Sequence, residues 1–405
     1  MKRLSLGALA VVLAASSAMA APSLSVLAPF GTETSSSASS ITPDGQWVVG
    51  QSGTGRGVLW NTAAPGTAIN VLGGGMQSEY VRGVAYRTEP FMGRQELVML
   101  GKTAGTVGPT FWFYRPSDQT WGPKLRHTNE TNALPAANAL ASRTGVSDGW
   151  FATWGAGTTG GQGKVGIGWG GTDTVAPSTM YDQRSNNQEI SMKGVSSTGR
   201  AVGFRRDSGD VPRNYILDFV DDGVAGNANA TMFDGLAGAG DTRGQAWAVN
   251  GDGTRVFGMS PVSDGRSGNW PYMCTNPGAG QTIVELPTFS DTAGSTTNAL
   301  PYGASASGNY AVGMNYRGME KAVLWDVQAM TITDLTEYFS NEGLLGSFTR
   351  LTRAYSVADL GGGNVWITGI GVTPEGTRGF VAFIPEPASL GLLALGGLLA
   401  LRRRR

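Results

Sequence analysis

Five aspartates form the densest set of chemically able side chains in the chain: Asp218, Asp221 and Asp222 in ILDFVDDG, followed by Asp234 and Asp241. Carboxylates at short spacing supply the hard oxygen ligands that Ca²⁺ takes, yet no DxDxDG loop occurs, and acidic residues just after a strand ordinarily face water. The residue types therefore imply no resident cofactor, with Ca²⁺ the one metal they admit. There is a single histidine, His127 in the polar stretch KLRHTNETN, and a single cysteine, Cys274 in the apolar stretch WPYMC. Zinc and copper sites, proton shuttles and nucleophilic triads draw on imidazole and thiolate, so this composition removes most of them. His127 reads as a solvated loop residue and Cys274 as a small buried hydrophobe. GAGTTGGQGKVG sets Lys164 among glycines, but without the spacing or the following Ser or Thr of a phosphate-binding loop, and reads as a loop between strands. No catalytic residue is marked, and the paired carboxylates of a glycosidase are a three-dimensional matter that no spacing here announces.

The aromatic residues are the other chemical resource: 11 Trp, 11 Tyr and 14 Phe, spread along a chain with 62 Gly. Rings on this scale argue for a packed body rather than disorder. Exposed Trp and Tyr could stack on sugar rings, but most of the tryptophans fall inside strand patterns, where core packing is the default.

Those strand patterns repeat. An alternating strand starting near a small residue, a polar turn, a second strand ending in Gly and, later, a third apolar strand recur along the chain. Examples are ASSITPDGQWVVG with GVLWN, AWAVNGDGTRVFG with WPYMC, and AYSVADLGGGNVWITG with GFVAF. The strand-ending glycines are Gly50, Gly101, Gly155, Gly203, Gly258, Gly313 and Gly369. Seven units with a period of about 50 residues predict an all-β, propeller-like body. Turns such as Pro43-Asp44-Gly45, Asp148-Gly149, Gly251-Asp252-Gly253 and Ser307-Gly308 tolerate positive φ in a tight hairpin. Runs such as Trp47-Val48-Val49 suit strands covered on both faces. Fourth strands are expected near AINVLGG and TITDL, and a short helix in DLTEYFSNEGLLG. The last unit lacks a fourth strand, whereas LSVLAPF, Leu24 to Phe30, is a strand without a unit. Pairing the two would close the ring and leave no exposed edge.

The chain ends differ from the body. MKRLSLGALAVVLAASSAMA has Lys2 and Arg3, an apolar run and Ala18-Met19-Ala20, with Ala21 as the first residue after the cut, the layout of a secretory signal peptide. At the other end, Pro385-Glu386-Pro387 precedes 14 uncharged residues, Ala388 to Leu401, and then Arg402, Arg403, Arg404 and Arg405. That stretch is short against the ~20 residues a spanning helix needs, and the arginines favour the cytoplasmic side. Without Lys2, Arg3 and the four terminal arginines the chain keeps 24 basic residues against about 30 acidic ones, roughly −6 in all. Nucleic acid and anionic membrane are poor partners for such a body.

The C-terminal order of Pro-Glu-Pro, apolar helix and Arg cluster resembles the sorting signal of PEP-CTERM proteins. The resemblance covers about the last 22 residues and implies processing near Pro385, Glu386 and Pro387 by an exosortase, after transient anchoring in the inner membrane by the C-terminal helix. It implies delivery of the body to the cell surface or the surrounding polysaccharide matrix. The repeats are similar to the HAF-type extracellular repeat, which implies an extracellular propeller-like body and carries no activity. The expected organisation is a signal peptide over 1–20, a repeat body over 21–383 and a sorting signal over 384–405. The expected role is that of a non-enzymatic structural or adhesive surface protein, with extracellular polysaccharide as a partner. A polysaccharide lyase or hydrolase, or a sugar-binding module, is the alternative.

Overall fold

The computed structural model describes residues 21–385, apart from 72–79, 89–92, 103–109, 123–124, 127–133, 143–148, 157–163, 168–179, 183–189, 208, 220–227, 279, 290–296 and 317. A first strand, β1 (Ser23–Leu27), precedes a sheet of four antiparallel strands in sequence order, β2 (Ser36–Ile41), β3 (Trp47–Ser52), β4 (Arg56–Asn61) and β5 (Ala68–Asn70). The next group is β6 (Tyr80–Thr88), β7 (Gln95–Lys102) and β8 (Thr110–Arg115), with the short β9 (Thr120–Trp121) and β10 (Leu125–Arg126) both pairing with β8.

Two larger sheets follow. One joins β11 (Leu134–Ser142), β12 (Gly149–Ala156), β13 (Lys164–Ile167) and β14 (Met180–Asp182) to β15 (Ile190–Val195), β16 (Arg200–Arg206), β17 (Pro212–Phe219) and β18 (Ala228–Met232). Its two halves meet through the single pair Trp154 and Ser191. The other joins β19 (Gln245–Val249), β20 (Arg255–Ser260), β21 (Gly268–Thr275) and β22 (Thr282–Glu285) to β23 (Thr297–Ala304), β24 (Tyr310–Tyr316), β25 (Glu320–Asp326) and β26 (Thr331–Asp334). These halves touch through two parallel pairs, Gly268 with Thr297 and Asn269 with Asn298.

A short helix, α1 (Leu335–Asn341), comes next, capped by the Asp334 carboxylate, which accepts from the Thr336 and Glu337 amides. Leu335 and Phe339, one turn apart, are its buried side. The chain finishes with β27 (Arg350–Asp359), β28 (Val365–Thr373) and β29 (Gly376–Ile384).

That last sheet takes its fourth strand from the other end of the chain. β1 runs antiparallel to β29 from Ser23 opposite Phe383 to Leu27 opposite Gly379. The pairing covers Ser23–Leu27 rather than Leu24–Phe30, because Pro29 has no amide to give and the chain crosses there to the first sheet. Ala28 accepts from the Trp60 indole at 2.8 Å, and the Phe30 amide donates to the Ser52 hydroxyl at 2.8 Å. The sheet also runs to Ile384, one residue past the expected body.

The core lies between successive groups, which explains the apolar runs in the second and third strands. Val202, Ile216 and Phe233 pack on Ala246, Val256, Tyr272 and Cys274. Ala248, Phe257 and Leu286 pack on Ala299, Val323 and Trp325. Val312 and Leu324 pack on Leu351, Ile367 and Phe380, and Val381, Ala358 and Leu27 pack on Ala38, Val48 and Trp60. The last of these layers seals the end of the chain against its beginning. The first strands lie against one another in the order β2, β6, β11, β15, β19, β23, β27 and back to β2. The body is an all-β, propeller-like fold with its first strands innermost.

Candidate functional site on the inner strands

Each inner strand is irregular at one shared position, and β27 slips a second time at Thr352. The pairing register slips by one residue at Ser39, Arg82, Asn138, Lys193, Trp247, Tyr302 and Tyr355, each an extra residue with no partner on the second strand. A β-bulge of this kind bends the strand and re-aims one side chain. The glycines that set the sequence period sit opposite it: Gly50, Gly101, Gly203, Gly258, Gly313 and Gly369 pair with the residue just before the bulge. A Cβ on any of them would run into an inner-strand carbonyl oxygen, that of Ser37 at Gly50 and of Leu300 at Gly313. The residue after the bulge is small for a related reason. Gly194 faces the Trp247 backbone, and Gly303 faces the Tyr355 backbone, of the next inner strand.

The third repeat departs from this rule. Gly155 pairs with Pro135, two positions from the slip, and Thr153 occupies the place the glycine holds elsewhere. Period alone places Gly155 as the equivalent residue, because a neighbouring glycine two positions along satisfies the same rhythm.

Turns between first and second strands are built alike and tie neighbours together. Gly45, Gly253 and Gly308 adopt φ of 72°, 80° and 71°, and the side chains of Thr42, Asn250 and Ser305 accept from the amides of Trp47, Arg255 and Tyr310. Sideways, Ser197 donates to the Gly251 carbonyl and Gly251 to the Ala306 carbonyl, both at 2.9 Å, and the Ser307 hydroxyl donates to Asp359 at 2.6 Å.

Four consecutive bulge side chains touch one another. Lys193 Nζ lies 4.7 Å from the centre of the Trp247 ring. Trp247 meets Tyr302 edge to face at 5.4 Å, and Tyr302 meets Tyr355 at 5.1 Å and 53°. All four are half-buried. Contact between side chains on inner strands of different groups puts them on the side where those strands converge. Burial pushes the Tyr302 phenol up to about 12, with the Arg353 guanidinium pulling the other way. Arg353 is held by Glu320, with Nε donating to Oε2 at 2.9 Å.

Arg82 is exposed and lies over the Tyr80 ring at 5.2 Å. The inner strands carry Arg82, Arg87, Lys193, Arg350 and Arg353 against one acid, Asp359. Arg87 is tied to the buried Glu96 at 2.7 Å, as Arg353 is to Glu320. The arrangement can stack flat apolar faces and favour negative charge beside them.

The residues singled out from sequence are not gathered here. Ala21 and Pro385 lie two residues beyond the Ser23–Phe383 pair on their strands, so both ends of the body leave the same end of one sheet. Ala18, Ala20, Glu386, Pro387 and Arg402 to Arg405 lie outside the described residues, as do His127, Asp148, Asp221 and Asp222. Asp218 receives Arg200 at 2.6 and 2.8 Å, Asp241 pairs with Arg243, and Asp234 accepts from the Gly240 amide. Three or more metal-ligating side chains are nowhere grouped among the described residues.

Cys274 is buried, and burial ahead of the Asp234 charge pushes its thiol up to about 12. Lys164 opens β13 rather than lying in a loop, because KVGI pairs with Trp150 to Thr153 of β12. Among the tryptophans, Trp47, Trp60, Trp112, Trp270 and Trp325 are core, as their strand patterns predict. Trp247 is not. Sequence alternation cannot show a bulge, and the one trace it leaves is a large residue between small ones, as in Ala246-Trp247-Ala248 and Ala354-Tyr355-Ser356.

No family model and no curated protein matches the sequence. Among solved structures, a puromycin hydrolase S511A mutant complexed with PGG is similar at 12% identity over 86% of this chain and 51% of that one, with a TM-score of 0.53. A second puromycin hydrolase structure has 12% identity over 88% and 52%, with a TM-score of 0.52. The chain thus spans about half the length of these hydrolases. The Dos1 propeller is similar at 7% identity over 89% of this chain and 94% of that one, with a TM-score of 0.46. The likeness to the hydrolases is one of fold. Among the described residues no helix is long and apolar enough to cross a membrane.

Proposed function

We propose that the body is a closed ring of seven four-stranded units and that the protein is an exported, non-enzymatic component of the cell surface or biofilm matrix, structural or adhesive in role. The count rests on the seven first strands that follow one another in a circuit, and closure rests on β1 joining β29. In this reading residues 1–20 are a signal peptide, and an exosortase acts near Pro385, Glu386 and Pro387 after the apolar tail and Arg402 to Arg405 have held the chain at the inner membrane. One observation supports the adhesive role: the bulge side chains Lys193, Trp247, Tyr302 and Tyr355 form a run of basic and aromatic groups in contact, suited to binding, and the neighbouring Glu320 is bound by Arg353.

A second reading, a polysaccharide lyase or hydrolase, draws on the Tyr302, Tyr355 and Arg353 group. Release of reducing ends from a polysaccharide by the purified protein, lost in Tyr355→Phe, would favour it.

The leading reading is tested by intact-mass analysis of protein recovered from the surface and medium of producing cells. A mass lacking residues 1–20 and the arginine tail is expected. A Pro385-Glu386-Pro387 to Ala variant should keep the tail. A wild-type protein with its C-terminus intact would remove the sorting route.

A further inference from the structure

The arc formed by Lys193, Trp247, Tyr302 and Tyr355 has a cost that the fold does not require. Where the inner strands need small residues they have them, as at Gly194 and Gly303 just after the bulge, and the bulge position itself accepts Ser39 as well as Trp247. Three aromatic side chains in a row at that position, in mutual contact and each half-buried, leave apolar ring surface turned toward the converging side of the strands rather than into the layers that hold the body together. Both bulge residues that carry charge, Arg82 and Lys193, are basic, although the body outside the terminal segments is acidic. A recess that concentrates one sign of charge against low-dielectric walls draws the opposite charge from solution. Aromatic faces with a few placed polar groups are also the usual lining of a ligand site.

We infer that this arc is a binding site for an acidic polysaccharide, a chain of pyranose rings bearing carboxylates. The apolar C–H faces of successive sugars stack on Trp247, Tyr302 and Tyr355. Lys193, which already sits over the Trp247 ring, meets a sugar carboxylate at one end of the arc. Arg353, fixed by Glu320, stays beside Tyr302 and presents its remaining N–H groups at the other end. The inference names the ligand of the adhesive role proposed above and rests on that reading.

The test is titration calorimetry of the full-length chain in detergent with oligogalacturonate, with cello-oligosaccharide of matched length as the neutral probe. The acidic oligomer should bind and the neutral one more weakly. Trp247→Ala and Tyr302→Ala should each raise Kd by about tenfold or more, as truncation of a central aromatic contact does. Lys193→Gln should level the two oligomers, with Trp247→Phe keeping most of the affinity. Trp121→Ala, at an exposed ring away from the inner strands, should change nothing. Thermal unfolding of every variant shows that it is folded. Absence of binding to either oligomer, a preference for the neutral one or for a single-stranded oligonucleotide, or affinity indifferent to Trp247 and Tyr302 in folded variants would overturn the inference. Because the calorimetry does not depend on processing, its failure leaves the sorting reading standing, and an unprocessed tail in cells leaves the glycan result standing.

Discussion

The bulge on each inner strand and the glycine facing it on the second strand lie a few ångströms apart and obey opposite rules. On the second strand glycine recurs in every unit but the third, because a Cβ on any of those six would meet a carbonyl oxygen of the inner strand. On the bulge, Ser39, Arg82, Asn138, Lys193, Trp247, Tyr302 and Tyr355 share neither size nor charge. The unit thus separates what folding demands from what it leaves open, and at Lys193, Trp247, Tyr302 and Tyr355 the open position points to the converging side of the strands. Two edges of the body differ in the same way. The β1–β29 pairing is made once and holds the whole, whereas the lateral turn bonds are made repeatedly and each holds one joint.

These contrasts order the effects of substitution. Deleting Ser23 to Leu27 uncovers the β29 edge and the layer around Val381 and Trp60, in which Leu27 is fully buried. It should remove more than about 5 kcal/mol, the stability of an ordinary domain, and send the protein into aggregates measurable by light scattering. Gly313→Ala should cost about 3 kcal/mol in urea unfolding, since a backbone oxygen rather than a flexible side chain stands in the way. Tyr302→Ala, across the same bulge, should cost no more than about 1.5 kcal/mol, the scale of its ring contacts. Equal costs at the two sites would break the contrast.

The same ring carries a pH effect. Tyr302 titrates at about 12 in the folded chain and near 10 unfolded. The fold holds it neutral, so its contribution is complete below about pH 10 and is lost as pH rises through about 12. The difference in phenolate absorbance between wild type and Tyr302→Phe should centre near pH 12; a midpoint near 10 would place the ring in water. Smallest of all, Lys193→Gln should cost about 0.5–1 kcal/mol or less, the worth of its place over Trp247.

Much of this architecture is readable from residue order. Asp-Gly and Ser-Gly turns, doubly apolar runs such as Trp47-Val48-Val49, and the recurring glycine each have a local cause, so each leaves a local mark. β1 is legible as a strand with no unit of its own, and the last unit as one short of a strand. The bulge is not, because one extra residue breaks a period-two pattern without changing its composition. For the same reason Trp247 reads as core with the other strand tryptophans, and Gly155 takes the place that pairing gives to Thr153. The axial cluster depends on contacts between residues about 50 apart, which only the stacking of units supplies.

The most direct test of a ring closed by its own first strand is hydrogen exchange at the β1 amides that face β29, read beside those of β28 and β29. Closure predicts that the four strands of the last sheet open together, with β1 amides as slow as those of Ile367 and Val381. Exchange of β1 at the rate of an unstructured peptide, with β28 and β29 still protected, would contradict it.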